Sequence, residues 1–249
     1  MKIKKYLPII IFVIGLGVVS AAAFFALRGR GEKEGVEEET ALLQDVPLAQ
    51  RPVARLTPSE DGHWLALEVE KFEIEAESMD YELLYKLPDG RTQGVPGTVE
   101  LKGQDSIERD LLLGSESSGK FRYDEGVDKG TLTLRFRNEQ GRLVTRFMTE
   151  FTLLSDTDNI ASADNGIRMQ IEDNPQGVFF VAMETFGVPQ DPPGNVASGP
   201  YGIFASDDVV LAGTVEVSDG DIYRWTGDEW TDEIGGDALS TGIFVGISQ

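Results

Sequence analysis

The chain has no cysteine and a single histidine, His63, among its 249 residues. These two shortages exclude disulfides, thiolate zinc sites, a cysteine nucleophile, a lipoprotein anchor and any histidine pair for a metal. Basic residues are also scarce: 22 Lys and Arg face 43 Asp and Glu, a formal charge of −21. A polyanion of this kind lacks the Lys/Arg face that displaces counterions from phosphates, so no nucleic acid is expected as a partner. The deficit is uneven. Residues 53–155 carry 13 basic and 20 acidic side chains, net −7, whereas residues 160–249 carry only Arg168 and Arg224 against 15 acids, net −13. Amphipathic helical patterns of useful length are missing, although 41% hydrophobic residues suffice for packed cores. At roughly 150 residues per domain, the length fits one or two domains.

Charge is absent from one further stretch. Tyr6 to Leu27 are 22 consecutive uncharged residues, about 33 Å as a helix at ~1.5 Å per residue, which matches a hydrocarbon core of roughly 30 Å. The stretch reads as a transmembrane helix retained as a signal anchor. Residues 1–5 then form a cytoplasmic stub, and the body lies outside a single-pass cell-membrane anchor. The alternative is a secretory signal cleaved near Ala21, Ala22 and Ala23, which leaves a secreted form. Residues 28–52, rich in Gly and charge and containing Glu37-Glu38-Glu39, read as an acidic tether.

Beyond the tether the dominant period is two. Leu65, Leu67 and Val69 alternate with Trp64, Ala66 and Glu68; Tyr81, Leu83, Tyr85 and Leu87 share a face, as do Leu132, Leu134 and Phe136. Half-buried strands give this pattern because successive side chains point to opposite faces. Turn signals separate the strands, the clearest being Asn138-Glu139-Gln140-Gly141. The expected fold is all-β: two tandem β-sandwich domains after the single N-terminal helix and flexible tether. Domain 1 spans 53–155 and domain 2 spans 166–249, with an acidic linker at 156–165. Pro189, Pro192, Pro193 and Pro200 read as one long irregular connection rather than part of a central strand.

Three stretches of the second block carry a resemblance. Gly199-Pro200-Tyr201-Gly202-Ile203, Ile222-Tyr223-Arg224-Trp225-Thr226-Gly227-Asp228-Glu229-Trp230 and Ser240-Thr241-Gly242-Ile243-Phe244-Val245 resemble β-sandwich modules of bacterial cell-surface proteins. The first block is similar in pattern to immunoglobulin-like or fibronectin type III-like sandwiches, without the antibody cysteine pair. The resemblance implies an extracellular spacer or binder and transfers no catalytic residue.

Several motifs bear on chemistry. Gly114 to Lys120 matches the G-x4-G-K part of a phosphate loop, but Phe121 stands where a Ser/Thr should hold Mg²⁺ and the following residues read as a strand. No nucleotide is therefore expected, and Ser117 and Lys120 lack the further motifs of a serine acylase. His63 reads as a structural histidine, since no recognisable nucleophile accompanies it. Asp156, Asp158, Asn159 and Asp164 offer hard oxygen ligands for a structural Ca²⁺ at the domain junction, or else solvated turn caps; no other cofactor is expected. Tyr223, Trp225 and Trp230 lie among aspartates, as core plugs or, if exposed, as a stacking surface for a sugar ring. The chain is thus expected to be a binding, adhesion or structural protein of the cell envelope rather than an enzyme. Its partners would be the membrane and a cell-surface protein or glycan. The alternative of another class is a small extracytoplasmic hydrolase using a carboxylate pair.

Overall fold

A computed structural model describes residues 46–172, 175–207, 211–233 and 240–248, together with the backbone of 237–238. The predicted transmembrane helix, residues 6–27, and the tether up to residue 45 lie outside the described residues. Among the latter no helix is long and apolar enough to cross a membrane.

The body is all-β. Its strands are β1 (Val53–Pro58), β2 (Trp64–Glu70), β3 (Ser78–Lys86), β4 (Thr92–Glu100), β5 (Ser106–Leu112), β6 (Gly114–Ser117), β7 (Lys120–Tyr123), β8 (Lys129–Arg137) and β9 (Leu143–Ser155). There follow β10 (Asn159–Ala161), β11 (Ile167–Ile171), β12 (Phe179–Glu184), β13 (Val196–Ala205), β14 (Gly213–Val217), β15 (Asp221–Trp225), β16 (Trp230–Asp232), β17 (Asp237–Ala238) and β18 (Gly242–Ile247). The alternation of the first block behaves as its sequence predicts. Leu65, Leu67 and Val69 are fully buried, as are Leu132, Leu134 and Phe136. The Asn138–Gly141 signal becomes the β8–β9 hairpin, with Gly141 at φ 73°, a conformation that favours glycine.

One nine-stranded sheet, in the order β16-β15-β18-β13-β12-β9-β8-β3-β4, runs through both blocks. The segment 156–165, where the sequence suggests a boundary between modules, does not interrupt it: β12 pairs antiparallel with the end of β9, from Phe179 opposite Ser155 to Met183 opposite Phe151. Residues 45–249 accordingly form one compact unit. Two smaller sheets, β1-β2-β5 and β10-β11-β14-β17, cover opposite faces of the large one. Strand β12 records this directly. Val181 and Met183 join the core formed with β1, β2 and β5, whereas Phe180 and Ala182 join the core formed with β10, β11 and β14. Neighbours on one strand face opposite ways, so each face has its own core. Burial without alternation in β12 and β18 follows from being covered on both sides.

Two expectations change here. Pro200 lies inside β13, a central strand, rather than in the irregular connection. The β13–β18 register shifts between Ser198 and Tyr201, so no ladder bond is asked of the missing Pro N–H. The last residues of the tether also belong to the body: Leu48 packs against Val188 and Val245, and Arg51 Nε donates to the Val46 carbonyl at 2.7 Å.

Phe151 and Phe180 are both fully buried, in different cores. Replacing either by Ala is expected to cost about 3–5 kcal/mol. Because both cores are built on the same sheet, calorimetry of the wild type and of each variant should show one cooperative unfolding transition. Two resolved transitions, only one of them moved by each substitution, would instead describe independent modules.

Candidate functional site

Among the described residues the exposed large hydrophobic side chains are Leu84, Phe121, Tyr123 and Met148. Two of them stand on the β6–β7 hairpin. Ser118 (φ 53°) and Gly119 (φ 74°) form its two-residue turn, both in the left-handed region as a type I′ turn requires. The G-x4-G-K stretch is therefore hairpin, with Ser117 paired to Lys120, and not the start of a helix. Phe121 and Tyr123, two residues apart, project from one face of this ribbon.

That face is a ladder of rings. Tyr123 stacks on His63 with centroids 4.3 Å apart and planes 7° from parallel; Phe121 stacks on Tyr123 at 6.3 Å and 9°; Trp64 meets Phe121 edge-on at 5.5 Å. Phe121 is 46% exposed and Tyr123 38%. The partners are held from below by the β1–β2 turn. Asp61 accepts from Ser59 Oγ at 2.6 Å and from the His63 amide at 3.1 Å, and Ser59 Oγ in turn accepts from the Trp64 amide at 3.0 Å. The hydrogen bonds from Ser59 and His63 hold the Asp61 carboxyl below its ordinary range. The His63 carbonyl accepts from Leu113 N, which ties the turn to the base of the hairpin. A second clamp runs from Tyr85, whose hydroxyl donates to Asp124 at 2.9 Å; burial, then Asp124, push that phenol well above its usual range.

The residues singled out from sequence are distributed otherwise. Asp156, Asp158 and Asn159 lie at the open end of the β10–β11 hairpin, where Asn159 pairs with Gln170, whereas Asp164 lies at its turn. The three-residue strand between them keeps Asp164 apart from the other three. Asp156 accepts from the Gly177 amide at 3.1 Å. Asp164 accepts from Ser162 Oγ, from the Gly166 amide at 3.0 Å and from the Tyr201 hydroxyl at 3.1 Å. Partial burial opposes its ionisation, but these three hydrogen bonds together hold Asp164 below the ordinary carboxylate range. Tyr201 moves the other way, pushed up to about 12 by burial and by Asp164. No group of three or more His, Cys, Asp or Glu side chains arranged to hold a metal ion occurs among the described residues.

The three distal aromatics pack inward. Trp225 is 8% exposed and belongs to the main core. Trp230 meets it edge-on at 5.5 Å and donates Nε1 to the Gln190 carbonyl at 3.0 Å. Tyr223 packs against Val188, Val245 and Ile247. Sequence reasoning missed the ladder, because Phe121 and Tyr123 read as one more alternating strand; the aromatic residues clustered at 63–64 and 121–123 were the available signal.

No protein-family model, no curated protein and no solved structure matches this chain.

Removing one ring of the stack should cost about 0.5–1.5 kcal/mol, the worth of an aromatic pair. For His63→Ala or Tyr123→Ala, hydrogen exchange is expected to speed up at the amides of 115–123 while the core strands keep their protection. Uniformly faster exchange would place the stack in the global core instead. Asp164 yields an acid-side prediction. A carboxyl held lower in the folded state than its unfolded value of about 3.9 contributes stability present above that value and lost as pH falls through the folded pKa. Wild type should therefore lose more stability than Asp164→Asn on acidification below about pH 4, measured by denaturant midpoints; equal losses would mean that the turn does not depend on the charge.

Proposed function

We propose that this protein is a membrane-anchored extracytoplasmic binding protein of the cell envelope, with the ring ladder of His63, Trp64, Phe121 and Tyr123 as its contact surface. In this reading Tyr6–Leu27 is the anchor, and each half of the body is a sandwich-type pair of layers sharing the central sheet. The observation that carries the reading is the exposure of Phe121 and Tyr123 on a hairpin already braced by stacking. Ordered aromatic rings bind at low entropic cost, since little freedom remains to be lost.

The ligand class that fits best is a glycan, whose C–H faces stack on aromatic rings and whose hydroxyls suit the exposed Ser115, Glu116 and Lys120 nearby. Asp164 and Glu184 line one cavity, but Asp164 is occupied as the acceptor of three hydrogen bonds, so we do not assign the two as acid and base of a hydrolase.

The test is titration of a glycan panel against the full-length protein, followed by Trp fluorescence and calorimetry. At least one glycan should bind, and Phe121→Ala and Tyr123→Ala should each weaken it by tenfold or more without changing the melting temperature of the body by more than the loss of one stack. Binding that survives both substitutions, or binding to none of the panel, overturns the assignment. Mass analysis of the chain from its native membrane distinguishes the anchored form, with residues 6–27 intact, from the secreted alternative that begins near Ala23.

A further inference from the structure

The other two exposed hydrophobic side chains, Leu84 and Met148, mark a different surface. The large sheet is wider than the four-stranded layer on its second face, so the residues of β3, β8 and β9 that point that way are left open. A cross-strand row is read directly from the registers: Gly94 opposite Leu84, Leu84 opposite Thr131, Thr131 opposite Glu150. One residue beyond the pair Tyr85–Gly130 come Lys86 and Lys129, and one residue beyond the pair Met183–Phe151 come Glu184 and Glu150. The rim of the covering layer, Ser162 to Asp164 in the β10–β11 turn, closes this open face on one side.

A groove results along that step. One cavity of about 260 Å³ is lined by Leu84, Lys86, Thr92, Lys129, Thr131 and Glu150, with Ala163 on the rim; a second of about 180 Å³ is lined by Met148, Glu150, Asp164 and Glu184, again with Ala163. The two are adjacent, with Glu150 and Ala163 in both linings. Together they reach the ~300–1,000 Å³ of a small-ligand site, which neither reaches alone.

The groove has two poles of opposite charge. At one end Lys86 and Lys129 lie side by side, and neither side chain makes a hydrogen bond or ion pair with the described residues. Like charges on directly neighbouring strands repel, so an anion between them is favoured. Across the groove Glu150, common to both cavities, has no side-chain partner among the described residues. Glu184 is half-buried, and its carboxyl is pushed up by burial, with Arg51 offsetting part of the effect and Asp164 adding to it. Between the poles the floor is apolar or hydroxylic, with Leu84, Thr131 and Ala163, whereas Met148 lies on the far side of Glu150 from Lys129.

We propose that this groove binds a short peptide in its zwitterionic form, two or three residues long, with its ammonium at Glu150 and Glu184 and its carboxylate at Lys86 and Lys129. The spacing selects the length. The midpoint of Lys86 and Lys129 lies two strands and two residues from the midpoint of Glu150 and Glu184, so the backbones of the two poles are separated by roughly 12 Å. A free amino acid is too short to reach both poles, whereas two to three extended residues span about 7–11 Å. The exposed Leu84 and the rim's Ala163 favour an apolar side chain in the middle. The groove is separate from the ring ladder, so the two assignments stand or fall independently.

The experiment is calorimetric titration of the full-length protein with the tripeptide Ala-Leu-Ala, its N-acetylated form and its C-amidated form. The free tripeptide should bind, and each blocked form should bind at least tenfold more weakly. In the double variant Lys86→Ala/Lys129→Ala the amidated and free forms should bind alike, because the carboxylate has lost both partners; in Glu150→Gln/Glu184→Gln the same should hold for the acetylated and free forms. Lys129 is exposed and Glu184 half-buried, and circular dichroism confirms that each variant keeps the fold before titration. The proposal is overturned if the blocked and free forms bind equally to wild type, if no binding occurs at low millimolar peptide, or if the variants weaken all three forms equally.

Discussion

Five consecutive residue pairs, from Phe179 opposite Ser155 to Met183 opposite Phe151, join the two charge-distinct halves of the chain through backbone hydrogen bonds. Because β12 then carries Phe180 and Ala182 on one face and Val181 and Met183 on the other, each covering sheet has a surface to pack on. A strand buried on both faces must satisfy every backbone group within the sheet, since no water reaches it. Strands β9 and β13 do this on either side of β12. Where Pro200 cannot donate, its carbonyl still accepts from Thr185, and the bulge carries the irregularity.

The acid excess is handled differently in the two halves. In the first, arginines on the strands face carboxylates across the sheet: Arg135 bonds Glu82 at 3.0 Å and Arg137 bonds Asp80 at 2.6 Å, while Arg55 reaches Glu68 and Glu70. These pairs are partly solvated and worth little individually; their effect is to keep an open sheet face from presenting uncompensated charge. In the second half Arg224 is largely buried against Glu233, with Ser240 as a further acceptor. One of the two distal cations is thus held inside, and the surface of that half is correspondingly anionic.

The free surfaces follow from mismatched layer sizes. A nine-stranded sheet covered by sheets of three and four strands must leave part of each face open. On one side the aromatic hairpin, too short to be stable alone, stacks on His63 and Trp64 beside the three-stranded layer. On the other side the step at Ser162–Asp164 leaves the charged groove. Both surfaces consist of ordinary strand residues whose exposure is set by what does not lie above them.

The strand pattern, the hairpin at Asn138–Gly141 and the buried faces of β2, β3 and β8 were legible in the residues alone, because alternation and turn chemistry are local properties. The all-β class followed from the same signals. The uncharged run Tyr6–Leu27 and the unequal charge of the two halves were equally local. The sharing of one sheet between the blocks was not legible, since an acidic, turn-rich segment such as 156–165 looks the same whether it separates domains or links strands of one sheet. The dispersal of Asp156, Asp158 and Asn159 away from Asp164 was hidden for a related reason: closeness in sequence says nothing about which end of a hairpin a residue occupies. That Trp225 is buried while Phe121 and Tyr123 are exposed was decided only when layers of unequal width were stacked, because an alternating aromatic strand carries the same pattern on a covered sheet and on an open one.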